Sequence, residues 1–413
     1  GWGTILIGGM RLGGSCKNCS TSTGAPEMKV NIGGTDHFFY SAYFVLDITN
    51  PEADPKLLWS FSYQDLGLTT SYPAVVRVNP SGSAKTDNTN AKWFLVAGSG
   101  PTGYGGASSQ ESKFYAVDLK TGPKDVSGSN LFTELKRGDG KAFMGDLISL
   151  DANLDYRTDV VYGGSVIDQG TTPPWEGKLL RLTIGTTAPF GGATTPSLWG
   201  KSQKPTDLLD SFSCTPSPCT GPTNVGPVAA APTVTADDAS KIWVFFGTGR
   251  YYTPNDKTNA DTQHFFGVKD PVLTGACTQT SETNCRRNDL VNVSAATICL
   301  VGTGDCGQSG GTNQVTGVSG VSGDLNFSGS STSTLEGLVQ SKDGWFTTLP
   351  DARERSLVSP TLIGGVVFFP TFVPLDDICA ASGSGFLYAL FYKTGSAYKE
   401  SVIGTETSGS NSI

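Results

Sequence analysis

The sequence is poor in charged residues, histidine and methionine, and it contains no long apolar run. Charged residues make up 16% of the 413 residues, and histidine occurs only twice. No stretch approaches the roughly 18 to 20 apolar residues that span a bilayer. Lys and Arg form no cluster and the net charge is −8. Nucleic acid and anionic membrane surfaces are therefore not expected as partners.

Groups that usually carry catalysis are scarce as well. Two histidines leave few general bases that titrate near neutrality. His37 stands beside Phe38 and His264 precedes Phe265, which is typical of side chains that pack against neighbours or end a strand. The sequence has no adjacent pair of cysteines and no phosphate-binding loop. We therefore do not expect an enzyme.

What the chain does contain favours β structure. Its 53 glycines and 23 prolines, with many Ser and Thr, are hard to fit into long helices. The apolar residues show no sustained period of three to four, so the predicted fold class is all-β. The first residues lack the regions of a signal peptide, and we expect export information to lie upstream or to have been removed.

A set of three strand-like segments recurs along the chain. Each set is a small antiparallel meander that cannot bury both faces alone, so the sets must stack around an axis. This predicts a modified β-propeller of about five to seven blades. The sets are 72–77, 93–100 and 114–122; 231–235, 243–249 and 265–270; 359–363, 366–370 and 386–395; a weaker 146–149, 160–163 and 178–182; and an incomplete 2–9 and 43–49.

The propeller is predicted to occupy residues 1–413 as a single domain. Residues 57–61 and 197–199 are candidates for outer strands, and a late strand at 398–403 or an upstream segment would close the ring. Between 277 and 342 the pattern gives way to Gly, Ser and Thr, which predicts a long inserted loop. Residues 396–413 are expected to form a C-terminal strand and tail.

One acidic segment has the spacing of a calcium-binding loop. Asp151, Asn153, Asp155 and Asp159 occupy positions one, three, five and nine, and the Arg157 carbonyl is the natural ligand at position seven. Alternate side chains of a tight loop point toward one centre, and Ca²⁺ takes six to eight oxygen ligands. The segment therefore predicts a calcium ion as cofactor.

The match to an EF-hand is only partial. Tyr156 stands where that loop needs Gly, and Tyr162 stands where it needs the bidentate Glu. The flanking segments 147–150 and 159–162 favour strands, so the loop should join two strands of a sheet. The alternative is an Asx-rich turn whose acids cap backbone amides, although three crowded carboxylates would repel one another without a cation.

Eight of the nine cysteines fall into close pairs that could staple surface loops in an oxidising compartment. Zinc is a competing interpretation for Cys16 and Cys19, but a four-ligand site needs a second pair. Cys379 is left over and is expected to be a buried thiol. The predicted disulfide pairs are Cys16 and Cys19, Cys214 and Cys219, Cys277 and Cys285, and Cys299 and Cys306.

Three further polar motifs have two interpretations each. Arg137-Gly138-Asp139 spells an integrin-attachment tripeptide, and the alternative is a hairpin turn that uses Gly138 and Gly140. Residues 255–261 contain a second group of Asn and Asp whose irregular spacing favours a solvated loop over a weak ion site. The charged run at 353–355 is expected to form a solvated or salt-bridged turn.

Several of these segments together resemble a known family. Residues 344–350, 353–360 and 367–374, followed by Cys379, resemble the C-terminal signature of the PilC/PilY family of type IV pilus-associated, tip-located adhesins. Residues 243–252, 266–270 and 150–163 are also similar to that family. The likeness covers most of the chain, from about residue 2 to residue 395.

The resemblance implies a fold, a cofactor and a role. The family's C-terminal domain is a modified β-propeller with a calcium loop, which implies calcium at Asp151, Asn153, Asp155, the Arg157 carbonyl and Asp159. It also implies an extracellular protein at the cell surface or pilus tip that takes part in adhesion, pilus assembly and control of retraction. Expected partners are pilins, minor pilins, a host-cell or abiotic surface ligand, and a separate N-terminal polypeptide that completes the first blade.

Two alternatives to the adhesin interpretation remain open. The blade pattern also looks like that of quinoprotein dehydrogenases, which bind pyrroloquinoline quinone and calcium in the propeller axis. Those enzymes commonly carry adjacent active-site cysteines, which this sequence lacks. The second alternative is a purely structural scaffold at the pilus tip, in which calcium only stabilises a blade.

Overall fold

The structure is a computed structural model in which one α-helix and thirty short strands are described. The described residues are 3–17, 19, 28–80, 88–124, 132–170, 175–185, 194–200, 204–214, 223–237, 241–272, 286–299, 314–375, 383–400, 407–408 and 411–412. Within them, no helix is both long enough and apolar enough to cross a membrane. The all-β fold class is confirmed.

Short strands make up most of the secondary structure. The helical elements are the 3-10 helices Pro196–Leu198 and Pro254–Lys257 and the α-helix α1 (Leu335–Ser341). The strands are β1 (Ile5–Gly9), β2 (Lys29–Ile32), β3 (Thr35–Phe38), β4 (Tyr43–Asp47), β5 (Lys56–Phe61), β6 (Ala74–Val78), β7 (Lys92–Gly98), β8 (Lys113–Asp118), β9 (Phe132–Lys136), β10 (Ala142–Leu150), β11 (Val160–Asp168), β12 (Trp175–Thr183), β13 (Thr206–Leu209), β14 (Ser211–Cys214), β15 (Thr223–Asn224), β16 (Thr233–Ala236), β17 (Ile242–Gly247), β18 (His264–Asp270), β19 (Asp289–Asn292), β20 (Thr297–Cys299), β21 (Gln314–Thr316), β22 (Leu325–Asn326), β23 (Gly344–Thr348), β24 (Thr361–Ile363), β25 (Val366–Pro370), β26 (Val373–Pro374), β27 (Gly383–Ser384), β28 (Leu387–Phe391), β29 (Thr407–Ser408) and β30 (Asn411–Ser412).

Five larger sheets follow one another along the chain, and each contains one of the predicted strand sets. We number them first to fifth. Their strand orders are β1-β4-β5, β6-β7-β8-β9, β10-β11-β12-β13, β15-β14-β19-β23-β18-β17-β16, and β24-β25-β28. The neighbouring strands of each predicted set pair antiparallel, as a meander requires.

Hydrophobic clusters lie between consecutive sheets, because alternate residues of a strand face opposite sides of its sheet. In the third sheet, Val160 and Tyr162 enter the cluster shared with the fourth sheet, whereas Val161 enters the cluster shared with the second. In β17, Val244 packs toward the third sheet and Phe245 toward the fifth. A further cluster joins the first and second sheets. This face-to-face stacking is that of a propeller.

The first and fifth sheets each leave an apolar face open. Leu57 of β5 is 57% exposed, and Leu6, which pairs with Leu46 beside it, is also exposed. On the fifth sheet, Leu387 is 67% exposed and Ile363 is similarly uncovered. None of the hydrophobic clusters found among the described residues joins these two sheets. The ring formed by the described residues is therefore open between its first and last sheets.

One of the predicted outer strands was wrong. Residues 197–199 do not form a strand: a 3-10 helix spans Pro196–Leu198, and Trp199 is buried against Phe94 of the second sheet. The fourth strand of the third sheet is instead β13, which pairs with β12. The predicted strand 57–61 was confirmed as part of β5. Residues 398–400 of the predicted closing strand are not in a strand, and 401–403 lie outside the described residues.

The segment 277–342 is more ordered than a loop wherever the structure describes it. Strand β19 runs parallel to both β14 and β23 within the fourth sheet. The strands β20, β21 and β22 form a separate small sheet, and helix α1 follows. Val315, Leu325 and Leu335 from these elements are buried in the cluster between the fourth and fifth sheets. The short apolar segments between the Gly and Ser residues supply this packing.

Candidate functional site

The acidic segment 151–159 joins β10 to β11 in the third sheet. The last strand pair before the loop is Leu150 with Val160, and the Asp159 N–H donates to the Leu150 carbonyl at 2.8 Å. The prediction that the loop connects two strands was therefore confirmed. Because the two strands are hydrogen-bonded up to the loop, the two ends of the loop are held in one place.

Asp151 organises the backbone of the loop. Its Oδ1 accepts the Asp155 N–H at 3.0 Å, and its Oδ2 accepts the Tyr156 N–H at 2.7 Å. Asp155 in turn accepts the Arg157 N–H through Oδ1 at 3.0 Å. These bonds bend the loop so that its acidic side chains lie on the inner side. Such Asx-type bonds alone match the capping alternative of the sequence analysis.

Asp159 combines capping of backbone amides with complete burial, and the N–H groups of Ala152 and Asn153 partly offset the rise that burial causes in its pKa. Its side chain is fully buried, and Oδ2 accepts the Ala152 N–H at 2.8 Å. Its Oδ1 is also buried but has no hydrogen-bond partner among the described residues. Burial, and then the nearby Asp151 and Asp155 carboxylates, raise the pKa of Asp159 to about 6. A buried carboxylate oxygen without a partner is energetically costly unless a proton or a cation neutralises it.

Two non-glycine residues of the loop adopt left-handed backbone conformations. Leu154 has φ of 55° and Tyr156 has φ of 65°, and both side chains are exposed. Glycine adopts this conformation at lower cost than other residues. Tyr156 is the position at which an EF-hand loop needs glycine, so the loop makes the same turn with a less suitable residue.

The predicted ligands are only partly assembled in the structure. Asp151, Asp155 and Asp159 are close enough for the first two to raise the pKa of the third. Asn153 is exposed at the rim of the loop. Within the residues described, no group of three or more His, Cys, Asp or Glu side chains has the arrangement of a metal site. The carboxylates bond to backbone amides instead.

The loop is fixed to the second sheet by residues that the sequence analysis did not identify. The Arg77 N–H donates to Thr158 Oγ1 at 3.1 Å, and the Thr158 N–H donates to the Arg77 carbonyl at 2.8 Å. The Arg77 guanidinium also donates to the Tyr156 carbonyl. These contacts join residues about 80 positions apart, so no local pattern could have revealed them. A change in the backbone conformation of the loop would therefore alter its hydrogen bonds to β6 of the second sheet.

The charged side chains of the Arg137-Gly138-Asp139 tripeptide are paired within the chain. The Arg137 guanidinium forms a bidentate ion pair with Asp207, with Nε at 2.8 Å from Oδ1. Lys178 Nζ lies 2.6 Å from Asp139 Oδ1. Gly138 has φ of 92°, a conformation suited to glycine in a turn. This geometry favours the turn interpretation over an exposed attachment tripeptide.

The second acidic group, 255–261, follows Arg250, and segment 250–261 as a whole surrounds an arginine from a distant part of the chain. Arg355 donates from Nη1 to the carbonyls of Arg250 at 3.0 Å and Asp256 at 2.7 Å, and from Nη2 to the Asn259 carbonyl at 3.1 Å. The Asp256 carboxylate accepts the Tyr252 N–H at 2.8 Å. The segment is thus a backbone cage around a guanidinium.

The charged run 353–355 was predicted to be a solvated or salt-bridged turn, and that prediction was wrong for two of its three residues. Glu354 is buried and accepts hydrogen bonds from Thr371 Oγ1 and, at 2.8 Å, from the Tyr388 hydroxyl. Arg355 is 4% exposed. Both side chains find polar partners on other elements, which is what permits their burial.

The sulfur atoms of Cys16 and Cys19 lie within bonding distance of each other, as the predicted disulfide requires, and the bond itself stays a prediction. The other predicted pairings, and the buried state of the leftover thiol, stay predictions because at least one cysteine of each lies outside the described residues. Those cysteines are Cys219, Cys277, Cys285, Cys306 and Cys379.

His264, expected to pack against its neighbours, is buried beside Phe212, Phe266 and Phe346. Burial lowers the pKa of His264 to about 4, which keeps the imidazole neutral at physiological pH. A neutral, enclosed imidazole fits a packing role.

Comparison with known proteins identifies relatives along most of the chain. The type IV pilus biogenesis factor PilY1 homolog of Xylella fastidiosa is 25% identical over 396 residues, which cover 89% of this chain and 22% of the relative. The type IV pilus biogenesis factor PilY1 of Pseudomonas aeruginosa is 25% identical over 411 residues, covering 95% of this chain and 29% of the relative. A scan against protein-family models finds no match.

The fold has a counterpart among solved structures. The Pseudomonas aeruginosa PilY1 C-terminal domain superposes with a TM-score of 0.53 at 18% sequence identity, covering 90% of this chain and 70% of that chain. The chain spans about a quarter of the length of the curated relatives. The resemblance to the PilC/PilY family is thus confirmed: the chain is a homologue of proteins named type IV pilus biogenesis factor PilY1, with the β-propeller fold of the PilY1 C-terminal domain.

Proposed function

We propose that the chain is a calcium-responsive propeller of a type IV pilus-associated protein, located outside the cell at the pilus tip. In this role it contacts pilins and minor pilins, takes part in adhesion to a host-cell or abiotic surface, and helps to control pilus assembly and retraction. The names of its relatives support the association with pilus biogenesis. Calcium binding is supported by a different observation, the state of Asp159.

The buried Asp159 oxygen carries the calcium proposal. Asp159 Oδ1 is enclosed without a partner among the described residues, and two other carboxylates raise the pKa of the group. A divalent cation would satisfy this oxygen and offset the repulsion among the three acids. A loop that merely caps backbone amides gains nothing from a buried oxygen of this kind. The cost of that oxygen makes a cation the simplest explanation for the loop.

Five groups would hold the ion: Asp151, Asn153, Asp155, the Arg157 carbonyl and Asp159. When bound, calcium supplies positive charge and a preference for six to eight oxygen ligands. Asp151 would keep the loop bent through its bonds to the N–H groups of Asp155 and Tyr156. Through the hydrogen bonds between Thr158 and the second sheet, the loop would then tighten its contact with that sheet.

Isothermal titration with calcium chloride tests the site. The native chain is expected to bind one ion, and a chain with Asp155→Ala and Asp159→Ala is expected to bind none at that site. Asp168→Asn serves as the matched control, because Asp168 lies at the other end of β11 and accepts a local bond from the Gly170 N–H at 2.9 Å. Equal calcium binding by the double variant and the native chain would contradict the proposal.

Co-purification tests the association with pili. The native protein, expressed in its own cells, is expected to recover pilins or minor pilins after mild crosslinking. The same procedure on cells that lack the major pilin is the control for non-specific capture. Failure to recover any pilus component would contradict the pilus role without affecting the calcium site.

The open ring supports the predicted partner polypeptide. Leu6 and Leu57 on the first sheet, and Ile363 and Leu387 on the fifth, leave large apolar side chains uncovered. Exposed apolar patches of this kind usually mark contact surfaces. We propose that a further polypeptide segment contributes sheet structure between them, as the predicted N-terminal partner of the first blade would.

Photocrosslinking tests this partner. Benzoylphenylalanine placed at position 57 or 387 in the pilus-assembled protein is expected to crosslink to sequence outside this chain. The same probe at position 156, which is exposed in the calcium loop, is the control. Crosslinks that map only to this chain, or an equal pattern from all three positions, would contradict a partner at the open faces.

The scaffold alternative makes a different prediction about calcium. If the ion only stabilises the third sheet, calcium raises the melting temperature and leaves the recovery of pilins unchanged. If the ion regulates a contact, calcium changes pilin recovery as well, because the two binding equilibria are coupled. Repeating the co-purification with calcium and with a chelator separates the two.

A further inference from the structure

A pocket with polar and charged side chains in its lining lies at the edge of the propeller where loops of the second, third and fourth sheets meet. It has a volume of about 520 Å³, large enough for a ligand of one or two sugar rings. The residues that matter for recognition are Trp175, Arg250, Asn255, Asp256, Asn259 and Asp261. The calcium loop contributes none of them.

Arg250 is held rigidly at the pocket with part of its guanidinium unused. Its side chain is 4% exposed, and its Cζ lies 3.4 Å from the centre of the Trp175 ring. Nη2 donates to the Gly105 carbonyl at 2.8 Å and lies 3.5 Å from the Asp256 carboxylate. The Nε atom is buried and has no hydrogen-bond partner in the described part of the chain. A buried donor of this kind is costly unless a ligand accepts from it.

The pocket also offers an acceptor without a partner. Asp261 Oδ2 is buried and accepts no hydrogen bond from the described residues. The neighbouring Asn259 accepts the Asp261 N–H through Oδ1 at 2.7 Å, which fixes the backbone of Asp261. The Asn255 amide can donate and accept, whereas the Thr253 and Thr258 hydroxyls already donate to Asp256 Oδ2 and the Asn255 carbonyl and can accept from a ligand. The pocket therefore combines a cationic donor with an acidic acceptor and several neutral groups.

The charges around the pocket restrict the ligand. Arg250 and Arg355 oppose a metal cation, and Asp256 and Asp261 oppose a phosphate dianion. A guanidinium edge suits a carboxylate, because their geometries match. Sugar hydroxyl groups can donate to Asp and Thr and can donate to or accept from Asn. One ligand that carries both groups would satisfy Arg250 and Asp261 together.

We propose that this pocket binds an acidic carbohydrate, a sugar ring that carries one carboxylate. The carboxylate would accept from the Nε edge of Arg250, and ring hydroxyls would donate to Asp261 Oδ2 and the Thr hydroxyls and exchange hydrogen bonds with the Asn side chains. This inference rests on the proposed surface role, in which the pocket would meet the carbohydrates of a host-cell surface.

The pocket is separate from the calcium loop. Trp175 and Asp168 lie at one end of the β11–β12 hairpin, whereas Val160 and the calcium loop lie at the other. The nine residues of β11 span about 26 Å at about 3.3 Å per residue. Binding at the pocket and binding at the loop can therefore be measured and removed independently.

Saturation-transfer NMR and isothermal titration of the whole chain with D-glucuronate test the proposal. A ligand with about thirteen non-hydrogen atoms and ordinary efficiency binds with a Kd on the order of 1 mM. Methyl glucoside, which lacks the carboxylate, is expected to bind at least about tenfold more weakly because the Arg250 edge stays unpaired. Acetate, which lacks the hydroxyls, is expected to be equally weak.

Two variants locate the binding. Arg250→Lys keeps the positive charge but loses the planar edge, and Asp261→Asn keeps the size but loses the charged acceptor. Each is expected to weaken glucuronate binding at least about tenfold. Glu52→Gln, an exposed acid outside the pocket, is the control and should bind as the native chain does. Melting temperatures of all variants show whether each remains folded.

Three results would overturn the proposal. They are the absence of any glucuronate signal with the native chain, equal affinity for methyl glucoside, and unchanged affinity in a folded Asp261→Asn chain. None of them bears on pilin co-purification. A failure of the pilus proposal with glucuronate binding intact would leave a sugar-binding propeller whose location needs another explanation.

Discussion

Two acidic loops of this propeller both direct oxygen atoms inward, where each oxygen needs a hydrogen-bond donor or a cation, and the two loops differ in what meets that need. In segment 250–261, oxygen atoms that face inward are backbone carbonyls, and the guanidinium of Arg355 fills the space between them. In segment 151–159, the inward oxygens belong to carboxylates, and Asp159 Oδ1 has no partner among the described residues. The first loop surrounds the guanidinium of Arg355 with its carbonyls, whereas the guanidinium of Arg77 reaches the second loop at the Tyr156 carbonyl.

The difference separates contacts that are always present from contacts that depend on the solution. A guanidinium covalently attached to the chain is always present, so segment 250–261 remains joined to the segment that precedes the fifth sheet. If segment 151–159 binds the proposed calcium ion, its stability varies with calcium concentration and pH. The comparison predicts that substitutions around the first loop change the stability of the protein equally with and without calcium. Substitutions in the second loop should change it by an amount that depends on calcium and pH.

Removal of Arg355 is expected to have the largest effect. Arg355→Ala leaves the carbonyls of Arg250, Asp256 and Asn259 without their donor. We expect the free energy of unfolding to fall by about 3 kcal/mol or more, because three carbonyl oxygens each lose a donor at a cost of about 1 kcal/mol or more. Urea unfolding monitored by tryptophan fluorescence measures it. The loss should be the same with calcium and with a chelator, and a calcium-dependent loss would contradict the comparison.

Arg353→Ala is the matched control for this change. It removes a neighbouring arginine of the same charge but keeps the Arg353 carbonyl, which accepts from Arg355 Nε at 2.9 Å. Its cost should stay within about 1 kcal/mol, typical of a partly exposed position. A similar cost for both variants would show that net charge, and not the cage, stabilises this region.

Asp159→Asn is expected to have the next largest effect, and that effect depends on pH. The pKa of Asp159 is raised from 3.8 to about 6 in the folded chain, so the folded state holds the proton more tightly than the unfolded state does. This contribution to stability is fully present below pH 3.8 and is lost as the pH rises through 6. Without calcium, the native chain should therefore lose stability over this range relative to Asp159→Asn.

Calcium should reverse that trend only in the native chain. At a free concentration of about 100 times its Kd, a ligand stabilises by about 2.7 kcal/mol. Melting curves from about pH 4 to about pH 8, with calcium and with a chelator, measure both parts. A variant stabilised by calcium as strongly as the native chain would remove Asp159 from the site.

Tyr156→Gly is expected to have the smallest effect. At φ of 65° a glycine avoids the cost that a side chain imposes, so the loop should become more stable by up to about 1 kcal/mol. Tyr156→Ala is the control, since it removes the same exposed ring but keeps a Cβ. Calcium titration should show tighter binding for the glycine variant alone. Equal affinities would mean that this turn does not limit the site.

Most of the fold could be predicted from the sequence, because strand sets with alternating or continuous apolar residues are local patterns. The sets became β6 to β8, β10 to β12, β16 to β18, and β24, β25 and β28. The failures involve distant partners. Strand β19 is short and lies between β14 and β23, which flank it from far along the chain. Residues 197–199 look like a strand, but Pro196 begins a 3-10 helix there.

In the candidate site, too, local features could be predicted and contacts with distant residues could not. The spacing of Asp151, Asp155 and Asp159 is local and could be found in the sequence. The burial of Asp159 comes from packing between two sheets, and the anchor at Arg77 comes from a contact across about 80 residues. Arg355 was expected in a solvated or salt-bridged turn, because its carbonyl partners lie about 100 positions away and leave no local signal.

The open ring has a consequence for how the molecule closes. If the segment that covers Leu57 and Leu387 is part of the same polypeptide, its effective concentration at the gap is in the millimolar range for a short flexible connection. Weak intrinsic affinity is then enough to keep the ring closed. A proteolytic cut in the connection would leave every contact intact and still open the ring, because closure would then depend on the dilute concentration of a free fragment.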